Sequence, residues 1–126
     1  MKILVIDDEL EWREDIVDTL RKLNIPEVET ASSANEAIEI LKNNPSFDRI
    51  ICDSLDGDWI LIHEALRERE KTEAMRVLSG SSDMLAEVME VGLKGLYKHD
   101  YTESASERLA ELIGPLQDSS RGKETL

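Results

Sequence analysis

Short apolar runs recur along the chain, separated by polar segments whose apolar residues fall at helical spacing. The run at 3–6 reads as a first strand, and the stripe of Trp12, Ile16, Val17, Leu20 and Leu23 after it predicts an amphipathic helix that Pro26 ends. "VETA" at 28–31 reads as a second strand. Ser33 and Glu36 then form an S-x-x-E capping box, opening a helix with Ala37, Ile38 and Leu41 on one face and Asn43, Asn44 and Pro45 at its close. "RIICD" at 49–53 is a third strand, and "DGDWILIHEALRERE" at 56–70 is apolar enough for a helix packed on a sheet. "MRVLSG" at 75–80 is a fourth strand, followed by a helix over 82–91 that Gly92 stops. "GLYKH" at 95–99 is the fifth. A last helix over 102–113 carries a second capping-box pattern, Ser104 and Glu107, and ends at Gly114-Pro115.

Strict alternation of strands and helices implies parallel strands joined by right-handed crossovers, with helices on both faces. The expected architecture is a five-stranded, doubly wound parallel α/β sheet in the flavodoxin-like order 2-1-3-4-5, over residues 1–117. The polar segment 118–126 is expected to be a disordered tail.

The chain has 126 residues, enough for one domain and one core. Aromatic residues are only 4% of it, so Ile, Leu, Val and Ala must fill the interior. Asp and Glu number 28 against 15 Lys and Arg, a net charge of −13 that repels nucleic-acid backbones and anionic lipid. Direct nucleic-acid binding is therefore not expected. The single Cys52 allows no intrachain disulfide, and no Cys/His spacing suggests zinc. The N-terminus lacks the longer apolar region of a signal peptide, and no stretch approaches the roughly 20 apolar residues that cross a bilayer. A cytoplasmic protein is expected, without membrane contact.

Ligands of open parallel sheets bind beyond the carboxyl ends of the strands. There the first strand ends in Asp7-Asp8, the third in Asp53, the fourth in Ser79 and the fifth in Lys98-His99. Strands one and three are neighbours in the expected order, which gathers three carboxylates at one edge. Left alone, they would raise one another's pKa values and destabilise the fold. A hard divalent cation such as Mg²⁺ resolves the conflict, because it takes one or two carboxylates and leaves positions for water or phosphate. Asp7, Asp8 and Glu9 could instead simply open the first helix, where acids suit the dipole. Asp53 at the end of another strand tilts the reading toward a site.

The chain resembles a response regulator receiver domain over nearly its whole length, carried by "ILVIDDE" with the helix after it, "IICD", "RVLSG" and "VGLKGLYKHDYT". The resemblance implies that Asp53 accepts a phosphoryl group from a phosphohistidine on a histidine kinase or phosphotransfer protein. It further implies that Asp8, Asp53 and the Leu55 carbonyl ligate Mg²⁺, with Asp7 acting through a water. Ser79 would donate its hydroxyl to the phosphoryl group, and a lysine at strand five would pair with it. Output would pass through protein contacts to a downstream partner. Such a chain accepts and loses its own phosphoryl group and is not a turnover enzyme.

Two departures from the family stand out. "DSLDGDW" has no Pro and brings Asp56-Gly57 about three residues early, which shortens the loop over the expected metal. That could shift the Leu55 carbonyl or bring Asp56 or Asp58 to the cation, although Asp58 is expected simply to cap the third helix. At strand five a gapless alignment puts His99 at the lysine position, and a one-residue deletion puts Lys98 there. Lys98 is chosen because an ammonium suits an anionic phosphoryl group. The family's switching aromatic is displaced as well, with Leu96 at its gapless position and Tyr97 beside it. Trp12 is expected to pack on the first helix, and Trp59 to start the third helix near the acids.

Two other classes compete. A pseudo-receiver would keep the fold and the acids as an interaction module without phosphorylation. A Mg²⁺-dependent phosphohydrolase would start from the same acids, but a separate general base and a D-x-D spacing after Asp53 are both missing.

Overall fold

The structure, a computed structural model, describes residues 1–44 and 46–115. Its five strands are β1 (Lys2–Ile6), β2 (Glu27–Ala31), β3 (Arg49–Cys52), β4 (Met75–Ser79) and β5 (Lys94–Tyr97), all parallel, in the order β2-β1-β3-β4-β5. The expected sheet is therefore the observed one. The boundary at 117 and the tail over 118–126 lie outside the described residues, as does Pro45.

Side chains alternate across a strand, and the sequence uses both faces. Ile3, Val5, Ile51 and Leu78 face Ile16 and Leu20 of α1 (Leu10–Lys22) and Leu109, Leu112 and Ile113 of α6 (Ala105–Ile113). Leu4, Ile6, Ile50, Cys52 and Val77 face α2 (Ala34–Asn43), α3 (Trp59–Glu68) and α4 (Ser82–Glu90). Fully burying each such Ile or Leu contributes about 1.5–3 kcal/mol, so the two apolar layers hold the sheet edge in place.

The helix ends depart from the sequence reading in instructive ways. Ser33 caps α2 by accepting from the Glu36 N–H, but the Glu36 carboxylate bonds the N–H of Ser32 instead of closing the box on Ser33. Neither Asp58 nor Ser104 makes a side-chain cap bond. The expected single helix over 102–113 is two: α5 (Lys98–Glu103) and α6, broken where Ser104 turns to φ −153°, ψ 63°. Strand five consequently stops at Tyr97, and Lys98 and His99 open α5. Gly92 and Gly114 stop α4 and α6 with φ of 86° and 68°.

The last carbonyls of α6 are met by two buried arginines. Arg76 Nε donates to the Leu112 carbonyl and Arg49 Nε to that of Ile113, each at 2.7 Å, while Arg49 also reaches Pro115. These bonds satisfy helix-end acceptors that would otherwise be buried unpaired, and they lock α6 onto the edge of the sheet opposite the acids.

Candidate functional site

The strand ladder carries the two key acids one residue past their strands. Ile6 pairs with Cys52, and beyond that register the Asp7 N–H bonds Ala31 and the Asp53 N–H bonds Ile6, at 3.1 and 2.7 Å. Asp7 and Asp53 thus stand side by side at the carboxyl edge. One carboxylate oxygen from each of Asp7, Asp8 and Asp53 lies within 4.8 Å of the others. Glu9, the third acid of the opening run, is exposed, and its N–H donates to Asp7 Oδ1 at 3.0 Å, so the Asp7 carboxylate opens α1 while Glu9 itself makes no cap bond.

Lys98 reaches this cluster and His99 does not. The Lys98 ammonium lies 2.9 Å from Asp7 Oδ2 and 2.9 Å from Asp53 Oδ1, with a side chain only 9% exposed. His99 is 68% exposed and faces Asp100 and Glu103. α5 starts at Lys98, and Lys98 and Tyr101, one turn apart, are both buried. Two carboxylates, Asp7 and Asp53, share this ammonium, and with Asp8 beside them the cluster carries a formal surplus of negative charge.

The electrostatics reflect that imbalance. Burial pushes the Asp7 carboxyl above its ordinary range, more than the Lys98 ammonium and the Glu9 N–H pull it down. Burial also works against the charge on Lys98, yet the bonds to Asp53 and Asp7 outweigh it and hold the ammonium above its usual pKa. Asp7 Oδ2 is buried, and beyond the ionic contact it has no directed hydrogen bond.

The loop after Asp53 is strained. Leu55, Asp56 and Gly57 take φ of 51°, 52° and 103° in succession, a left-handed run that costs of order 1–3 kcal/mol at each non-glycine position. What it achieves is orientation: the Leu55 N–H donates to Asp53 Oδ2 at 2.9 Å, fixing the carboxylate that Lys98 holds from the other side. The Leu55 carbonyl accepts from the Asp58 N–H at 3.1 Å, so one of its lone pairs is already engaged. Asp56 lines the cleft over the site, and Asp58 does not.

Ser79, fully buried, donates to the Ser54 hydroxyl at 2.9 Å and accepts from the Ser81 N–H at 3.0 Å. Its hydroxyl is thereby tied to the residue that follows Asp53. A cleft of about 400 Å³ opens over Asp53, lined by Trp12, Ser54, Ser79, Met84 and Lys98 among others. Three of these, Trp12, Ser54 and Met84, were missed in the sequence. Ser54 carried no signal beyond its place after Asp53. Trp12, expected only to pack on α1, stands over the site with its ring centroid 4.5 Å from the Lys98 ammonium. Trp59 starts α3 as expected, and its side chain is buried in the core, 3% exposed.

No family model and no curated protein matches the chain. Solved structures do. A response regulator receiver domain protein from Clostridium thermocellum is 26% identical, with 99% of this chain and 98% of that one covered at a TM-score of 0.70. The Vibrio cholerae chemotaxis protein CheY4 is 24% identical over 89% of this chain and 98% of its own, at a TM-score of 0.71. The receiver domain of the Arabidopsis thaliana histidine kinase CKI1, solved with Mg²⁺ and BeF₃⁻, is 26% identical over 87% and 89%, at a TM-score of 0.56.

Proposed function

We propose that this chain, which has the flavodoxin-like fold of the response regulator receiver domains it resembles, is a phosphoacceptor of two-component signalling. Asp53 takes the phosphoryl group from a phosphohistidine of a histidine kinase or phosphotransfer protein. An Asp53 carboxylate oxygen bonds to phosphorus as the bond from phosphorus to the imidazole nitrogen breaks. The electron pair stays on that nitrogen, which recovers a proton from solvent. The observation that carries this reading is the meeting of the Asp7, Asp8 and Asp53 oxygens within 4.8 Å beside the Lys98 ammonium.

Phosphoryl transfer needs positioning and charge neutralisation more than covalent help. Lys98 supplies one positive charge at Asp53. The Leu55 N–H orients the acceptor from its other oxygen. Ser79 has a hydroxyl that can exchange its bond to Ser54 for one to a phosphoryl oxygen. The donor set also fits Mg²⁺, because one carboxylate oxygen from each of Asp7, Asp8 and Asp53 converges there. Asp8, Asp53 and the Leu55 carbonyl would hold the ion, with Asp7 acting through a water. When bound, it would neutralise the surplus carboxylate charge and the charge of the incoming phosphoryl group.

The chain signals through contacts with a downstream protein and, losing its own phosphoryl group, does not turn over a substrate. Its strong negative charge disfavours direct nucleic-acid binding. No helix among the described residues is long and apolar enough to cross a membrane, and a cytoplasmic place is part of the two-component reading proposed here.

One observation favours the pseudo-receiver as a second reading. Lys98 already bridges Asp7 and Asp53, and the Leu55 carbonyl is partly engaged by the Asp58 N–H, so the acids are partly neutralised by the protein itself. Titration with Mg²⁺ followed by tryptophan fluorescence separates the two, using Trp59→Phe to leave Trp12 as reporter. The receiver reading expects saturable binding that weakens in Asp8→Asn and tightens with beryllium fluoride. Mg²⁺ binding with no phosphoryl adduct on adding a small acyl phosphate would favour the interaction module.

A further inference from the structure

Lys98 is the cation closest to the acceptor, and four methylenes connect its ammonium to the backbone. Something must hold it there. The two carboxylates do so only while both carry charge, and on the reading above an Asp53 oxygen becomes bonded to phosphorus. One restraint does not depend on them: the Trp12 ring, 4.5 Å from the ammonium. An indole face attracts a cation more strongly when water is excluded, and the Lys98 side chain is 9% exposed.

Trp12 is itself held. On α1 the positions of Trp12, Asp15 and Thr19 are three and four residues apart, so they line one face; on α5 Lys98 and Tyr101 do the same. These faces meet. The Tyr101 hydroxyl donates to Asp15 Oδ2 at 2.7 Å and lies 2.9 Å from Thr19 Oγ1, with the whole residue buried. Its ring centroid sits 6.0 Å from that of Trp12 at an interplanar angle of 51°. The indole is therefore gripped by Tyr101 on one side and offered to Lys98 on another. A residue serving only to fill the core would be covered, whereas Trp12 is half-buried and lines the cleft above Asp53.

We infer that Trp12 is a positioning residue for phosphoryl acceptance, holding the Lys98 ammonium at Asp53 through its ring while the charges on the carboxylates change. This rests on the phosphoacceptor reading. Trp12 touches neither the acceptor oxygens nor the phosphoryl group; it acts through Lys98. The contact needs an aromatic face and not apolar bulk, which makes Phe a partial and Leu a failed replacement.

The experiment has two arms on the full chain. In the first, NMR of the metal-free protein with ¹³C-labelled lysine follows the methylene protons of Lys98. They are expected upfield in the wild type, shifted by the indole ring, less so in Trp12→Phe, and at ordinary positions in Trp12→Leu. In the second, single-turnover phosphorylation by a small acyl phosphate with Mg²⁺ is followed by intact mass. Trp12→Leu is expected to slow acceptance by about tenfold, and Trp12→Phe to recover most of that loss. Amide spectra of both variants check the fold.

Ordinary Lys98 shifts in the wild type would overturn the inference, as would equal acceptance rates in the wild type and Trp12→Leu, or an equal loss in Leu and Phe variants. If the wild type forms no adduct while the Lys98 shifts behave as expected, the phosphoacceptor reading falls and Trp12 still stands as the residue that positions Lys98.

Discussion

Replacing Lys98 with Met keeps the side-chain length and removes the charge that Asp7 and Asp53 share. Each 2.9 Å contact amounts to about 6 kcal/mol of Coulomb attraction at an effective dielectric near 20. Most of that is offset by the water that the ammonium and Asp7 give up. Removing one partner of a buried pair costs about 3–5 kcal/mol because the other charge is stranded. Asp53 keeps 12% exposure and some of its water, so the loss is placed at the lower end, about 3 kcal/mol. The sign of its pH dependence follows from Asp7. Burial already raises this carboxyl in the folded state, and without Lys98 it loses the contact that pulls it down. A group whose folded pKa is raised penalises the fold above that pKa and stops doing so once protonated. Urea unfolding in EDTA is therefore expected to show the full deficit near pH 8 and a smaller one in acid, once Asp7 takes up its proton. Saturating Mg²⁺ at about 100 times its dissociation constant should return roughly 2.7 kcal/mol. Equal urea midpoints for the wild type and Lys98→Met near pH 8 would refute the reasoning, as would a deficit that grows in acid.

Tyr101→Phe removes the hydroxyl shared by Asp15 and Thr19 and is expected to cost about 1–2 kcal/mol by denaturant unfolding. Arg76→Met leaves the Leu112 carbonyl at the end of α6 without its donor; a loss of about 2–3 kcal/mol should appear together with faster amide exchange across α6. Gly95→Ala would put a Cβ 2.8 Å from Leu85 Cδ2, so the buried Leu85 side chain must shift, and a decrease of about 1 kcal/mol is expected from thermal unfolding.

The sheet was legible because its three central strands are buried on both faces and its helices show their stripes. Ile3 and Val5 against Leu4 and Ile6 serve two opposite layers, which yields an unbroken apolar run bounded by polar helices. The acid edge followed from topology, since Asp7 and Asp53 each lie one residue past a strand that pairs with the other. Details that depend on where a helix begins were not legible. Nothing in "YKHDYT" announced that α5 starts at Lys98, with Lys98 buried and His99 in solvent. Ser104 looked like a cap for the last helix and instead marks the break between two helices. The left-handed Leu55 was hidden too, because leucine does not advertise that conformation, whereas Asp56-Gly57 after it is an ordinary turn pair. Arg49 and Arg76 read as ordinary polar positions at strand starts, yet they satisfy carbonyls from the far end of the chain, a contact that no local pattern encodes.

Incubating the full chain with Mg²⁺ and a small acyl phosphate, and reading intact mass with peptide mapping, bears most directly on phosphoryl acceptance at Asp53. The account predicts the mass of one added phosphoryl group, located on the peptide containing Asp53, sensitive to EDTA and lost in Asp53→Asn. An unmodified mass under conditions where Mg²⁺ binds, or an adduct that persists in Asp53→Asn, would contradict it.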